Sequence, residues 1–232
     1  MSPPPGRPEV ATLKALIFDL DGTLVDSVYG HVLAFQLAFA EAGLPVEAWR
    51  IHRHIGMSGD LLTRTLMRDS DYHASSKKLA RIEKRHSELL HKLLRRPQPL
   101  PGATTLLAEL RRKKILHGIA TSGNPAEMRL ALKSLGIGEQ TVVVNRSDAA
   151  RAKPEPDLFL KCQDRLGVAP QECYAVGDAV WDLLAARRAG MLPIGLLCGG
   201  YSHEELSAAG PYRIFSNPAE LHEHLEELGL QR

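Results

Sequence analysis

The chain has 232 residues, and its 29 Lys and Arg against 27 Asp and Glu leave a formal net charge of +2. This length allows one large domain, or a core with a second, smaller unit. The near balance of charge gives no reason to expect a nucleic-acid partner, and no apolar run reaches the roughly 20 residues that would span a bilayer.

The cysteines and the first residues indicate the expected environment. Cys162, Cys173 and Cys198 are too widely spaced for a metal-ligand pair, and their odd number argues against a disulfide framework. A reduced, cytoplasmic setting fits this usage best. Residues 1–11 contain three consecutive prolines and no apolar signal-peptide core, so we expect a disordered lead-in there.

The folded part is predicted to begin with a buried strand at residues 12–19, where TLKALIFD is a short apolar run. Residues 28–98 then carry helical patterns and no convincing strand. The segment RPQPLPG at 96–102 ends the last of these helices with three prolines. We therefore predict an all-helical cap domain at residues 28–98.

The cap interrupts a core that is predicted to comprise residues 12–27 and 99–232. In the second part, helical patterns alternate with apolar runs that predict strands, at residues 115–121, 141–145, 173–178 and 192–198. Such alternation predicts a parallel sheet with helices on both faces. The expected fold is α/β, with a Rossmann-like core and an inserted helical cap.

Polar side chains follow the predicted strands at the point where each strand ends. Asp19 and Asp21 come directly after the first strand, and Thr121 follows the second. In a parallel sheet, the loops at the carboxyl ends of the strands form the binding crevice. The side chains expected to meet at this edge are Asp19, Asp21, Thr121, Lys153, Asp178 and Asp182.

This set of side chains is what phosphoryl transfer through an aspartate requires. A carboxylate can attack phosphorus to form an aspartyl phosphate, and a second carboxylic acid can protonate the leaving oxygen and later activate water. Asp19 and Asp21 would repel each other unless Mg²⁺ and a phosphate lay between them. Gly22 and Gly123 would let the backbone N–H groups approach the phosphoryl oxygens.

Four segments, in chain order, resemble the motifs of the haloacid dehalogenase (HAD) superfamily. They are DLDGTLVDS at 19–27, GIATSGN at 118–124, AKPEPD at 152–157 and VGDAVWDLLAARRAG at 176–190. The predicted insert is similar, in type and place, to the helical C1-type cap of the subgroup that contains phosphoglycolate phosphatases and β-phosphoglucomutases. The resemblance covers nearly the whole chain after residue 12.

The resemblance implies a Mg²⁺-dependent phosphatase that acts on a small phosphorylated metabolite through an aspartyl phosphate. Asp19 would be the nucleophile, and Asp21 the general acid and base. Thr121 would bind phosphoryl oxygens, and Lys153 would steady the nucleophile and the transferring group. The implied metal set is Asp19, Asp21, Asp178 and Asp182, and the implied phosphate set is Gly22, Thr121, Ser122, Gly123 and Lys153.

Part of the predicted cap is expected to contact the substrate. In the resemblance, the cap loop RHIGMSGD at 53–60 faces the active site, and His31 matches a histidine near its entrance; a satisfied helix histidine is the alternative for that position. The candidate substrate residues are His31, Arg53, His54, Met57 and Ser58.

The predicted cap is also basic. Residues 50–96 carry 12 Lys and Arg against 5 Asp and Glu, a bias of +7 before the histidines. A basic lid would draw anionic substrates toward the site. We expect most of these cations instead to solvate one helix face.

A sugar-phosphate mutase of the β-phosphoglucomutase type is the alternative function within the same family. That relative holds a second phosphate with a cap arginine, and the alignment places Gly59 at this position. Arg53 or Arg64 would have to substitute for it. The expected partner in either case is a small phosphorylated molecule, with no nucleic acid and no membrane, and the chain would be a monomer or a homodimer.

Three other functions fit the residues less well. The dehalogenase and phosphonatase relatives lack the acid two residues after the nucleophile, which is Asp21 here. A phospho-acceptor switch of the receiver type carries its acceptor on a middle strand and has no helical insert. In this chain the candidate acceptor, Asp19, follows the first strand.

Overall fold

The computed structural model describes residues 13–138 and 140–230, so the expected lead-in at 1–11 lies outside the described residues. The described strands are β1 (Ala15–Phe18), β2 (Val25–Asp26), β3 (Gln98–Pro99), β4 (Leu116–Ala120), β5 (Val142–Val144), β6 (Cys173–Gly177), β7 (Leu192–Leu196) and β8 (Arg213–Phe215). The described helices are α1 (Val28–Glu41), α2 (Ala48–His52), α3 (Gly59–Asp69), α4 (Ser76–Leu93), α5 (Ala103–Lys113), α6 (Pro125–Ser134), α7 (Asp157–Leu166), α8 (Val180–Arg188), α9 (His203–Ala208) and α10 (Pro218–Glu223).

Six parallel strands of the described chain form one sheet, in the order β5-β4-β1-β6-β7-β8. β1 lies between β4 and β6 and is buried throughout. Its alternate residues pack into different apolar clusters, Leu16 and Phe18 on one face and Ala15 and Ile17 on the other. Helices therefore cover both faces of the sheet, and the predicted α/β fold is confirmed.

One strand of this sheet does not follow from the sequence pattern. β8 has only three residues, and Arg213 at its start is exposed while Phe215 at its end is buried. It lies at the sheet edge beside β7. An edge strand this short carries too few apolar residues to be separated from a loop by pattern alone.

Four helices, α1 to α4, occupy residues 28–93 and pack around their own apolar core. On α1 the inward positions include Val28, Val32, Phe35 and Phe39, which recur at helical spacing. α1 packs along α4, whose inward face includes Leu90. None of the described helices is long and apolar enough to cross a bilayer.

The chain passes between this helical unit and the sheet through a two-stranded antiparallel ribbon. In it, Val25 of β2 pairs with Pro99 of β3, and Asp26 pairs with Gln98. Both crossings therefore lie side by side, close to the end of β1. This arrangement sets the four helices over the carboxyl edge of the sheet, where the candidate site lies.

Candidate active site

Asp19 and Lys153 form a buried ion pair at the carboxyl end of β1. The Asp19 N–H donates to the Val176 carbonyl at 2.8 Å, which continues the strand pairing by one residue. Lys153 Nζ donates to Asp19 Oδ1 and lies 2.8 Å from Asp182 Oδ1. The Lys153 side chain is fully buried, and its ammonium lies 5.0 Å from the centre of the Phe159 ring. The geometry thus holds this lysine against two acids.

Three carboxylates meet around this lysine. Asp19, Asp178 and Asp182 are all buried, and each offers an oxygen within 4.8 Å of the others. Thr23 Oγ1 donates to Asp178 Oδ1 at 2.6 Å, and the Ala179 N–H donates to Asp182 Oδ2 at 3.0 Å. Asp182 Oδ1 makes no hydrogen bond, although Lys153 lies at ion-pair distance. The cluster therefore keeps carboxylate oxygens that are not fully satisfied.

The charge of this cluster is not balanced. Burial and the neighbouring carboxylates raise the pKa of Asp19 to about 7 against the lowering effect of Lys153. Burial, Asp182 and Asp19 raise the pKa of Asp178 well above its ordinary value. Burial lowers the pKa of Lys153, but Asp182 and Asp19 outweigh this and raise it above its ordinary value. One ammonium cannot neutralise three buried carboxylates, so the cluster is suited to a further cation.

The donor atoms of this cluster fit Mg²⁺. They are hard carboxylate oxygens with no competing sulfur or imidazole among the three ligands. The surrounding backbone also leaves no room for a larger side chain. A Cβ added at Gly199 would fall on Asp178 Oδ2, and one added at Gly22, where φ is +83°, would meet the same carboxylate.

Asp21 lies beside this cluster and faces the space between the sheet edge and the helical cap. Its Oδ1 accepts a hydrogen bond from Ser27 Oγ at 2.6 Å, and His31 Nε2 lies 3.4 Å from the same oxygen. Burial would raise the pKa of Asp21, but His31 and Ser27 outweigh it and the pKa is lowered. Asp21 is therefore held in place and ionised next to Asp19, with an imidazole as its neighbour.

The second predicted motif also reaches this edge, at the end of β4. Thr121 is buried, and its Oγ1 accepts a hydrogen bond from the Gly123 N–H at 3.0 Å. Ser122 Oγ donates to the carbonyl of Gly56 in the cap loop, at 2.8 Å. The Ser122 hydroxyl thus binds the cap in this structure, and both Thr121 and Ser122 line the space between the sheet edge and the cap.

A cavity of about 180 Å³ lies between the sheet edge and the cap. Asp19, Asp21 and Thr121 line it from the core side. Phe35 and Leu62 line it from the cap. The structure therefore places the predicted nucleophile, the predicted acid and base, and a hydroxyl at one cavity.

The five predicted substrate residues have different positions. His31, Met57 and Ser58 line the cavity. Arg53 lies outside it, since its guanidinium forms an ion pair with Glu205 of α9 at 3.1 Å and stacks over a core tyrosine.

His54 also lies outside the cavity. Its Nδ1 donates to the Arg50 carbonyl at 2.8 Å, and its ring stacks on Trp181. The cap loop turns between His54 and Met57, so residues 55–60 of the loop line the cavity and Arg53 and His54 do not. The spacing of residues in a loop does not fix such a turn.

Hydrogen bonds join the cap to the core beside the fourth motif. The Arg53 carbonyl accepts hydrogen bonds from Trp181 Nε1 and from the Tyr201 hydroxyl, both at 2.9 Å. On the same side, His52 Nε2 lies 2.8 Å from the Gly199 carbonyl. The first turn of α8, next to Asp178, and the loop after β7 are therefore in direct contact with the cap.

Several residues at the site were not predicted from the sequence. Thr23 holds Asp178, and Glu83, His86, Glu127 and Arg146 line the cavity. A signal existed for His86, which falls at helical spacing on the apolar face of α4 and stacks on Phe35 with ring centres 3.7 Å apart. A signal also existed for Thr23, which lies inside the first motif, DLDGTLVDS. The other three lie at positions where a polar residue is ordinary, so nothing in the sequence distinguishes them.

Comparison with known proteins relates this geometry to a family. Residues 13–190 match the model of the haloacid dehalogenase-like hydrolases. The chain is 31% identical over 224 residues to the phosphoglycolate phosphatase of Rhodospirillum rubrum, and the match covers 90% of this chain and 89% of that protein. It is 29% identical over 189 residues to the β-phosphoglucomutase of Bacillus subtilis, with 79% and 83% covered.

A solved structure agrees with these matches. The crystal structure of a hydrolase from Pseudomonas syringae superposes with a TM-score of 0.90 at 40% identity, and the match covers 92% of this chain and 98% of that one. The predictions of family, of fold and of a hydrolytic enzyme are therefore confirmed. The chain belongs to the haloacid dehalogenase-like hydrolase family.

Proposed function

We propose that the protein is a Mg²⁺-dependent phosphatase that hydrolyses a small phosphorylated metabolite through an aspartyl-phosphate intermediate. The observation that carries the proposal is the buried cluster of Asp19, Lys153, Asp178 and Asp182 beneath the cavity, with Asp21 beside it. The similarity to a phosphoglycolate phosphatase supports a phosphate ester as the substrate.

The first step is a transfer of the phosphoryl group to Asp19. A carboxylate oxygen of Asp19 attacks phosphorus, and the bond between phosphorus and the leaving oxygen breaks. Asp21 gives a proton to that oxygen, which leaves as an alcohol. His31, at 3.4 Å from Asp21, is the neighbouring group that can supply this proton. Lys153 keeps the attacking carboxylate oriented through its bond to Asp19 Oδ1.

The second step releases phosphate. Water attacks phosphorus while Asp21 accepts its proton, and the bond between phosphorus and the Asp19 oxygen breaks. Asp19 is regenerated as a carboxylate and inorganic phosphate is the product. The Thr121 hydroxyl would donate to a phosphoryl oxygen through both steps, since its Oγ1 accepts from the Gly123 N–H and its own proton has no other partner among the described residues. The Gly22 N–H is not free for the predicted role in this structure, because it donates to the Val25 carbonyl at 2.8 Å.

The metal set proposed for Mg²⁺ is Asp19, Asp178 and the Asp21 carbonyl, with Asp182 holding a coordinated water or acting as a further ligand. The unbalanced negative charge and the all-oxygen donors support this set. Bound Mg²⁺ would neutralise charge on the phosphoryl group and on the acids that face it. The cytoplasmic setting and the oligomeric state stay predictions.

The mutase alternative lacks its second phosphate site. Gly59 occupies the position of the cap arginine, and neither proposed substitute reaches the cavity. Arg53 pairs with Glu205, and the largely exposed Arg64 pairs with Asp60 at 2.7 Å. These positions favour the phosphatase, although similarity to a β-phosphoglucomutase gives the mutase its support.

Replacing the nucleophile tests the proposal. We expect Mg²⁺-dependent phosphate release from p-nitrophenyl phosphate, its loss in EDTA, and a drop in kcat of about 10⁴-fold or more in Asp19→Asn. Asp164→Asn makes the same change on the surface of α7 and should retain full activity. Normal turnover by Asp19→Asn, or turnover unaffected by EDTA, would contradict the proposal.

A further inference from the structure

The cap wall of the cavity is acidic even though the cap as a whole is basic. None of the 12 Lys and Arg between residues 50 and 96 lines the cavity, although this whole stretch is described. The ionisable side chains that the cap contributes are Asp60 and Glu83, with His31 and His86. The basic face of the cap therefore points away from the substrate, and the cavity itself has the opposite sign.

Glu83 has fewer hydrogen-bond and ion-pair partners than Asp60, the other carboxylate on this wall. It lies half-buried on α4, and Thr63 Oγ1 donates to its Oε1 at 3.1 Å. No Lys, Arg or His of the described residues lies at ion-pair distance from it. Burial raises its pKa and outweighs the lowering effect of its one hydroxyl donor, Thr63. Its free oxygen is therefore placed to accept a hydrogen bond from a ligand.

Asp60 stands beside Glu83 at the start of α3. Ser58 Oγ donates to its Oδ1 at 2.5 Å, and Arg64 binds its Oδ2 at 2.7 Å from the solvent side. The carboxylate is thus ionised and held toward the cavity, where it adds negative potential next to Glu83.

The core side of the cavity does not supply a free cation. Arg146 lies 3.9 Å from Asp60, and its guanidinium donates to the Ala149 carbonyl at 2.8 Å. Glu127 adds another carboxylate, which accepts from Ser87 Oγ at 2.5 Å and from the Asn124 N–H at 3.3 Å. A single arginine, already engaged, therefore faces three acids around the space for the leaving group.

Apolar side chains complete this part of the cavity. Phe35 and Leu62 line it on the cap side, and Ile55 lines it near the loop. The volume of about 180 Å³ is smaller than the roughly 300–1,000 Å³ of pockets for drug-sized ligands. A compact, hydroxylated carbon chain fits this combination, because its C–H groups pack on the apolar wall and its hydroxyls donate to carboxylates.

We infer that the alcohol half of the substrate is a neutral, hydroxylated group, recognised by Glu83 with Asp60, and that a leaving group bearing a carboxylate or a second phosphate is disfavoured. This inference rests on the proposed phosphatase function. It separates this chain from an enzyme for glycolate phosphate, whose leaving group is anionic, and from a mutase that must bind a bisphosphate. Repulsion between an anionic leaving group and Glu83 is the physical reason.

A panel of substrates tests the inference on the unmodified protein. The probes are sorbitol 6-phosphate and glycerol 1-phosphate as neutral alcohols, 2-phosphoglycolate and fructose 1,6-bisphosphate as anionic ones, and acetyl phosphate as a small reference, all with Mg²⁺. We expect kcat/KM for the better neutral alcohol to exceed that for either anionic probe by about tenfold or more. Equal or better turnover of an anionic probe would overturn the inference.

Variants on one helix assign the effect to Glu83. In Glu83→Gln, the ratio of kcat/KM for the neutral alcohol to that for 2-phosphoglycolate should fall by about tenfold. Glu88→Gln makes the same change on α4 at a surface position that pairs with Arg85, and its ratio should match the unmodified protein. Identical ratios in the two variants would remove Glu83 from recognition.

The panel also separates this inference from the function on which it rests. Preference for an anionic probe, with acetyl phosphate still hydrolysed, would sink the inference and keep the phosphatase. Absence of Mg²⁺-dependent phosphate release from every probe, acetyl phosphate included, would remove both. If Glu83→Gln does not fold, the panel on the unmodified protein still decides.

Discussion

The two sides of the cavity hold their acidic side chains in different ways. On the core side, Asp19, Asp178 and Asp182 are buried and share one lysine, Lys153. On the cap side, Asp60 and Glu83 are partly exposed, and each has its own hydroxyl donor from a neighbouring residue. The core carboxylates share one cation, whereas Asp60 and Glu83 have separate partners, and one oxygen of Glu83 has none among the described residues.

In the proposed function, the core carboxylates carry out the chemistry and the cap carboxylates recognise the substrate. A mutually dependent, buried set loses its balance when one member changes, because the remaining charges stay buried without a partner. A partly exposed carboxylate can exchange a water or a ligand hydroxyl at little cost. Substitutions in the core set should therefore change folding stability and catalysis together, while substitutions at the cap should change the choice or the binding of the substrate.

The largest effect is expected from Lys153→Met, which removes the cation shared by the core cluster. The free energy of unfolding should fall by about 3–5 kcal/mol because buried carboxylates lose their partner. Phosphatase activity should fall with it, and urea denaturation in EDTA measures the stability. Lys161→Met is the matched control on the surface of α7. A loss of stability no larger than in that control would show that the cluster is not interdependent.

A smaller effect is expected from Gly199→Ala, which adds a methyl group where Asp178 Oδ2 lies. Relief of this overlap costs about 1–3 kcal/mol, so Mg²⁺ affinity should fall by about ten- to a hundredfold if Asp178 moves. Titration calorimetry with MgCl₂ measures it. Gly138→Ala, whose new Cβ would meet no atom within 4 Å, is the control. Unchanged affinity in Gly199→Ala would count against Asp178 as a ligand.

The smallest effect is expected where the cap meets the core. Trp181→Phe removes one of two hydrogen bonds to the Arg53 carbonyl and leaves the Tyr201 hydroxyl in place. We expect KM to rise about two- to tenfold, with kcat nearly unchanged, because the closed cap loses one hydrogen bond. Trp49→Phe, at an exposed position of α2, is the control. A fall in kcat with an unchanged KM would place Trp181 in the chemistry instead.

The difference between the core cluster and the cap also explains what the sequence could predict. The strands that carry the core residues are apolar runs buried on both faces, as in β1, and each is followed by a polar residue such as Asp19 or Asp178. Parallel pairing then brings those residues to one edge without any further information. Lys153 and Asp182, far apart in the chain, meet for this reason.

The cap could be predicted only as a set of helices. Its helical spacing indicates which residues of α4 face inward, yet Glu83 reaches the cavity because of how α4 packs over α1 and α3, which spacing does not determine. Arg53 was expected near the substrate but is drawn to Glu205, which lies 152 positions further along the chain. Such contacts depend on tertiary packing between distant segments.

Phosphorylation of Asp19 is the central step of the proposed function. Asp21→Asn with p-nitrophenyl phosphate tests this, because that leaving group needs no proton while hydrolysis of the intermediate still needs a base. After an acid quench, peptide mass spectrometry should find one PO₃ group on Asp19, at a higher level than in Asp26→Asn, an exposed control position. Release of phosphate by Asp21→Asn with no phosphorylated peptide containing Asp19 would contradict the account.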